Sequence, residues 1–126
     1  MKSMTGTGCV FPCISPRLTA RYYVEQLGFL PEYHLEGKWP HIELTCGSAV
    51  LILTQSGWKE VVPNRQLYGD GYDACLYTDD LDALCSQYSG NGVQIIRGIE
   101  QDEDGNRMFV LEDIDGRWIA FMERRI

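Results

Sequence analysis

Ser15-Pro16-Arg17-Leu18-Thr19-Ala20-Arg21-Tyr22-Tyr23-Val24-Glu25-Gln26-Leu27-Gly28 is the stretch that decides the fold. Serine is a favoured N-cap, proline a favoured first helical residue, and glycine the common residue just past a helix C-terminus. Between these ends Leu18, Tyr22, Tyr23 and Leu27 fall at helical spacing, which predicts one amphipathic helix. A short apolar run, 9–14, precedes it. Three strand-like runs follow at 30–35, 41–46 and 49–54, with Gly37-Lys38 and Gly47-Ser48 as turns.

The same order then returns. A strand over 72–78 leads to Asp79-Asp80, which can cap a helix carrying Leu81, Leu84 and Tyr88 on one face. Gly90, Asn91 and Gly92 stop that helix, and strands follow at 93–97, 107–112 and 118–122. The acidic stretch 100–106 reads as a solvated turn, and Asp113-Ile114-Asp115-Gly116 joins the last two strands. Gly28 and Gly92 are 64 positions apart, as are Ser15 and Asp79, so the chain reads as a duplication. The expected fold is α+β: two tandem βαβββ modules, 8–54 and 71–123, forming curved mixed sheets around a shared cleft. A loop, 55–70, joins the modules into one domain, 8–126, behind a flexible N-terminus, 1–7.

At 126 residues the chain has room for one domain core. Its 18 acidic against 11 basic side chains give a net charge of −7, which argues against nucleic acid or an anionic membrane as partner. That charge suits cationic ligands or simple solubility. No apolar run reaches the roughly 18 residues of a membrane span and no signal-peptide pattern opens the chain, so the expected location is cytoplasmic. The five cysteines are odd in number and scattered, so they read as reduced packing residues, with Cys9 and Cys13 as buried thiols.

Other chemistries find no support. The serines lack a histidine partner in any recognisable motif, and no G-x-S-x-G occurs. Thr5-Gly6-Thr7-Gly8 is glycine-rich but precedes a strand rather than a phosphate-binding helix. Gln101-Asp102-Glu103-Asp104 lacks the alternating ligands of a calcium loop.

Three motifs resemble those of the vicinal oxygen chelate superfamily, which includes glyoxalase I, extradiol dioxygenases, fosfomycin-resistance thiol transferases and bleomycin-resistance proteins. Residues 22–29, YYVEQLGF, are similar to F-Y-x-x-x-L-G-F. Residues 109–116, FVLEDIDG, are similar to F-x-x-x-D-P-D-G, with Ile114 in place of proline. The stretch 76–84, LYTDDLDAL, resembles the strand-to-helix joint V-x-D-L-D-A. Enzymes of this superfamily hold one divalent metal through His, Gln or Glu on the first and last strands of each half, where it polarises substrate oxygens. By motif counting, the resemblance puts those positions at Gly8, Ile52, Tyr72 and Ala120. Gly8, Ile52 and Ala120 have no donor, and neutral tyrosine is a weak one, so no metal and no other cofactor is expected. His34 and His41 can approach across the first hairpin, and are read as surface or cleft-lining polar residues rather than ligands.

The branch of the superfamily that this implies is the metal-free bleomycin-resistance type. Its members are dimers that sequester a drug by stacking surfaces, apolar walls and polar anchors. Strand parity from the ligand positions gives an expected binding set of Trp39, His41, Glu43, Val50, Ile52, Tyr72, Met108, Val110, Trp118 and Ala120. Thr54, Ala74 and Met122 share the expected parity. Trp118 and Tyr72 would stack, Glu43 and His41 would anchor a cationic group, and Trp39 would close one end. A homodimer binding a small molecule, with no catalytic residue, is the expectation. The alternatives are a metal-dependent lyase, isomerase or dioxygenase with atypical ligands, and an interaction domain with a closed cleft.

Overall fold

Ser15 and Gly28 bracket the first helix as their chemistry dictates. The Ser15 hydroxyl accepts from the Leu18 N–H, Pro16 occupies the first turn, and Gly28 ends the helix in the left-handed region at φ 79°. The computed structural model describes residues 1–124, so the last two residues of the expected domain lie outside the described residues. Residues 1–7 are exposed and carry no regular structure.

Two compact units divide the chain, Met1–Val61 and Val62–Ile126. The first contains β1 (Gly8–Cys13), α1 (Pro16–Leu27), β2 (Leu30–His34), β3 (His41–Cys46) and β4 (Ala49–Gln55). The second opens with a short helix, α2 (Asn64–Leu67). It continues with β5 (Ala74–Thr78), α3 (Leu81–Gly90), β6 (Gln94–Gln101), β7 (Arg107–Glu112) and β8 (Trp118–Glu123). Each unit forms one open four-stranded sheet, in the orders β1-β4-β3-β2 and β5-β8-β7-β6. In each, the first strand runs parallel to the last and the remaining pairs are antiparallel. This is the tandem βαβββ architecture of mixed sheets.

Each sheet buries one face against its own helix. In the first unit Phe11, Leu51, Leu53, Ile42 and Leu44 alternate onto that face, and Tyr23 of α1 packs edge-on to Phe29 at 5.6 Å. In the second, Phe109 and Phe121 stack at 5.0 Å on neighbouring strands, and Tyr88 of α3 meets Phe121 edge-on at 5.5 Å. Side chains of this size contribute roughly 1.5–3 kcal/mol each when fully buried, so these faces hold the helices in place.

The turn between β7 and β8 is a polar counterpart of that core. Asp113 accepts from the backbone N–H groups of Asp115 and Arg117 at 2.8 and 2.9 Å. Its second oxygen meets the Arg117 guanidinium at 3.2 Å, and Arg117 also reaches Asp115 at 3.0 Å. Arg117 is only 2% exposed, a buried charge made tolerable by these two carboxylates.

The structure corrects the sequence reading in five places. The second helix is capped by Asp80, whose carboxylate accepts from the Ala83 N–H, not by Asp79. One residue fewer separates that cap from Gly92 than separates Ser15 from Gly28, so the repeat spacing grows to 65 ahead of the helix. The strand β5 begins at Ala74, leaving Tyr72 before it, and β6 runs on to Gln101 into what was expected to be turn. The loop 55–70 contains the helix α2. Finally, all five cysteines are free, but only Cys13 is fully buried; Cys9 and Cys85 are half-buried, while Cys46 and Cys75 are exposed.

Candidate functional site

Strand alternation leaves each sheet with a second face, opposite its long helix. In the first unit that face carries Gly8 and Val10 of β1, Val50 and Ile52 of β4, and His41 and Glu43 of β3, tied together by the pairings Gly8↔Val50, Val10↔Ile52 and Glu43↔Ile52. His41, Glu43, Val50 and Ile52, all expected at a binding surface, are gathered here and half-buried. A side chain at Gly8 would come within 3.4 Å of Ile52, so the glycine keeps this patch low beside β4.

The edge strand β2 adds Glu32, which the sequence does not single out, and brings His34 to His41 across the hairpin as expected. Glu32 lies directly opposite Glu43, and His34 opposite His41. The imidazoles of His34 and His41 stack with centroids 4.8 Å apart, tilted by 18°. His34 Nε2 sits 2.7 Å from Glu32 Oε1, and His41 Nδ1 donates to the Trp39 carbonyl at 2.8 Å. Trp39 itself is in the β2–β3 turn, 78% exposed, with Lys38 Nζ 5.9 Å from its ring centroid. Between this turn and the start of α1 lies a cavity of about 250 Å³, lined in part by Ser15, Arg17, Pro40, His41 and Gln55.

In the second unit, Met108 and Val110 of β7 pair with Met122 and Ala120 of β8, and Trp118 pairs with Glu112. Met108, Val110, Trp118 and Ala120 therefore share the face opposite α3. Their settings differ: Val110 and Ala120 are buried, Met108 and Trp118 half-buried. Trp118 is already engaged. Its Nε1–H donates to Glu112 at 3.1 Å, and the Arg65 guanidinium lies 4.7 Å over its ring. Arg65 also donates to Glu112 at 3.3 Å and to the Gly116 carbonyl at 3.1 Å. Neither Arg65 nor Glu112 carries a motif, and their meeting depends on α2, which the sequence did not reveal.

The one-residue change in repeat spacing alters which residues of β5 share that face. Cys75, not Ala74, pairs with Ala120; Ala74 pairs with Ile119 and is buried on the helix side. One step earlier, the Asp73 N–H bonds to the Trp118 carbonyl, which makes Asp73 the register equivalent of Gly8. Tyr72, reached by counting 64, instead accepts from the Arg97 guanidinium at 3.0 Å through its hydroxyl and from the Asn64 amide through its carbonyl. A bulge in β6 sets Arg97 opposite Val110.

Two groups near this face have shifted acidity. Burial pushes the Asp73 carboxyl above its ordinary value, outweighing the opposing Asn64 N–H and Arg117 charge. Partial desolvation by its neighbours likewise raises the Cys75 thiol, although the residue as a whole is exposed, against the Tyr77 hydrogen bond and Arg124.

The metal position implied by the family resemblance can be tested on donor chemistry. Gly8, Ile52 and Ala120 offer nothing, and Asp73 spends one oxygen on the Asn64 N–H at 3.3 Å. One carboxylate among four positions does not make a site for the divalent ion these enzymes use.

A family model described as the Glyoxalase/Bleomycin resistance protein/Dioxygenase superfamily matches residues 9–121. No curated protein sequence matches the chain. Among solved structures, the fold is similar to that of the bleomycin-binding protein from bleomycin-producing Streptomyces verticillus complexed with copper(II)-bleomycin. That likeness has a TM-score of 0.75 at 18% identity and covers 99% of this chain and 100% of the other. A superfamily member from Sphaerobacter thermophilus DSM 20745 is similar at TM-score 0.76 and 18% identity, covering 97% and 98% of the two chains. TnmS3, an antibiotic binding protein from Streptomyces sp. CB03234, is similar at TM-score 0.71 and 20% identity, covering 99% of both chains. With its tandem βαβββ units and a family match over nearly its whole length, the chain belongs to the Glyoxalase/Bleomycin resistance protein/Dioxygenase superfamily.

Proposed function

We propose that this chain is a metal-independent small-molecule binding protein of the bleomycin-resistance type, which sequesters a planar or cationic drug or metabolite. The observation that carries the reading is the donor set at the four family metal positions: Gly8, Ile52, Asp73 and Ala120 cannot hold the catalytic ion. What the sheet faces offer instead suits binding without reaction. Val50 and Ile52 form apolar wall, Glu43 and His41 supply polar anchors, and Trp118 presents an aromatic ring stiffened by Glu112 and Arg65. Glu43 beside Glu32 favours a cationic group.

Residues 8–126 act as one functional domain in this reading, and two copies form a homodimer. Exposed Val10, Leu30, Tyr33 and Trp39 supply uncovered apolar surface for such an association. The setting is cytoplasmic, where five free thiols stay reduced. Among the described residues no helix is long and apolar enough to cross a membrane. Two fold neighbours, a bleomycin-binding protein and the antibiotic binding protein TnmS3, are binders of small molecules.

The test is a tryptophan-fluorescence titration against a panel of planar and cationic compounds, bleomycin included, with chelator present. Saturable quenching by at least one compound, undiminished by chelator, is expected. Turnover of a vicinal dicarbonyl, diol or thiol adduct that depends on an added divalent ion would overturn the reading. So would a panel without a single binder.

A further inference from the structure

We propose that His34, His41 and Glu43 form a binding site for a borderline divalent transition-metal ion, Zn²⁺, Ni²⁺ or Cu²⁺, on the β2–β3 hairpin. The three residues meet because of register. His34 and His41 are direct cross-strand partners, and Glu43 is two residues along β3 on the same face. Each offers one ligand atom, and the three atoms lie within 4.8 Å of one another. Reaching the donor spacing of about 3.3 Å that fits metal bonds of about 2.1 Å asks the three half-buried side chains to close by about 1.5 Å or less.

Two further features favour an ion. A carbonyl and a carboxylate can only accept, so the His41 nitrogen bonded to Trp39 and the His34 nitrogen bonded to Glu32 carry the protons. With a proton on that nitrogen alone, each ring offers the lone pair of its other nitrogen, the arrangement in which an outer oxygen orients a metal-binding imidazole. Glu32 and Glu43 also face each other directly across the strands, a like-charge pairing that costs stability until a cation intervenes. Two imidazoles and a carboxylate, without thiolate, suit Zn²⁺, Ni²⁺ and Cu²⁺ better than Mg²⁺ or Ca²⁺. Three protein ligands leave a coordination position open to water or to a donor atom of a small molecule. The site lies one strand away from the family position: Glu43 pairs with Ile52, which has no donor. It does not depend on drug binding, since a chain that takes up no compound can still hold the ion.

The experiment is calorimetric titration of Zn²⁺ into chelator-stripped full-length protein, with His34→Ala, His41→Ala, Glu43→Gln and Cys46→Ser variants beside it. One ion per chain is expected. The two histidine variants should each weaken binding at least tenfold, Glu43→Gln should weaken it several-fold, and the thiol variant should bind as the parent does. Thermal melts of every variant without metal establish that each is folded. Cu²⁺ electron paramagnetic resonance adds a direct readout, with nitrogen coupling present in the parent and reduced in both histidine variants. Absence of binding in the parent, unchanged affinity in the histidine variants, or loss confined to Cys46→Ser would each overturn the proposal.

Discussion

The guanidinium of Arg65 lies 4.7 Å over the ring of Trp118, and both side chains hydrogen-bond to the same oxygen of Glu112. A connecting segment with no motif of its own thereby fixes the aromatic surface of the second sheet. Arg65→Ala removes the stacked cation and exposes one face of the indole. With Trp39 and Trp58 replaced by Phe, the remaining Trp118 emission should shift to the red and become more quenchable. Urea unfolding should show a loss of about 1–2 kcal/mol, the range for a partly desolvated cation–π contact. Unchanged emission would mean that Arg65 does not cover the ring in solution.

The β7–β8 turn gives a larger effect. Asp113→Ala removes the carboxylate oxygen that accepts from the Asp115 and Arg117 N–H groups and strips a partner from buried Arg117. Breaking a buried pair on one side typically costs about 3–5 kcal/mol. Asp113→Asn, which keeps an acceptor for the Asp115 and Arg117 N–H groups, should cost less. Urea midpoints of the two variants check both the size and the order.

Glycine substitutions separate backbone conformation from space. Neither Gly28 nor Gly90 has any atom within 4 Å of an added Cβ, but only Gly28 has positive φ, at 79°. Gly28→Ala should therefore destabilise by about 1 kcal/mol, while Gly90→Ala, at the end of α3, should stabilise by about 0.4–1 kcal/mol. Opposite shifts of the melting temperature are the expected result.

Asp73 supplies a pH dependence. Burial raises its folded-state pKa above the ordinary 3.8, so the folded protein holds this proton more tightly than the unfolded chain. Below 3.8 both states are protonated and the group costs nothing. As pH rises from there through the raised folded value, the wild type loses stability, and above that value the loss is constant. Asp73→Asn lacks this titration. The difference in unfolding free energy, variant minus wild type, should grow with pH across that window and then level off. A flat difference would show that Asp73 does not titrate abnormally.

Local chemistry made much of the fold legible. The Ser15–Pro16 start, the Gly28 stop and the glycine turns are each set by one or two residues, and they held. What failed was a count carried through a helix. The second cap-to-glycine segment is one residue shorter than the first, which moved the cap from Asp79 to Asp80. It also put Cys75 rather than Ala74 beside Ala120. Because side chains alternate with a period of two, one residue is enough to turn a strand over. Parity within the first unit crossed no such helix, and His41, Glu43, Val50 and Ile52 do share a face. Glu32 carries no signal in the sequence, and the pairing of His34 with His41 was legible only as a possible approach, because β2 is an exposed edge strand without clean alternation and only its register with β3 shows where they fall.

The most direct test of the central claim is calorimetric titration of the planar and cationic panel, bleomycin included, in chelator, into the wild type and into Ile52→Trp, which fills the face opposite α1. The account predicts saturable binding of at least one compound to the wild type and at least a tenfold loss in the variant. No binding by any compound, or identical isotherms for the two proteins, would contradict it.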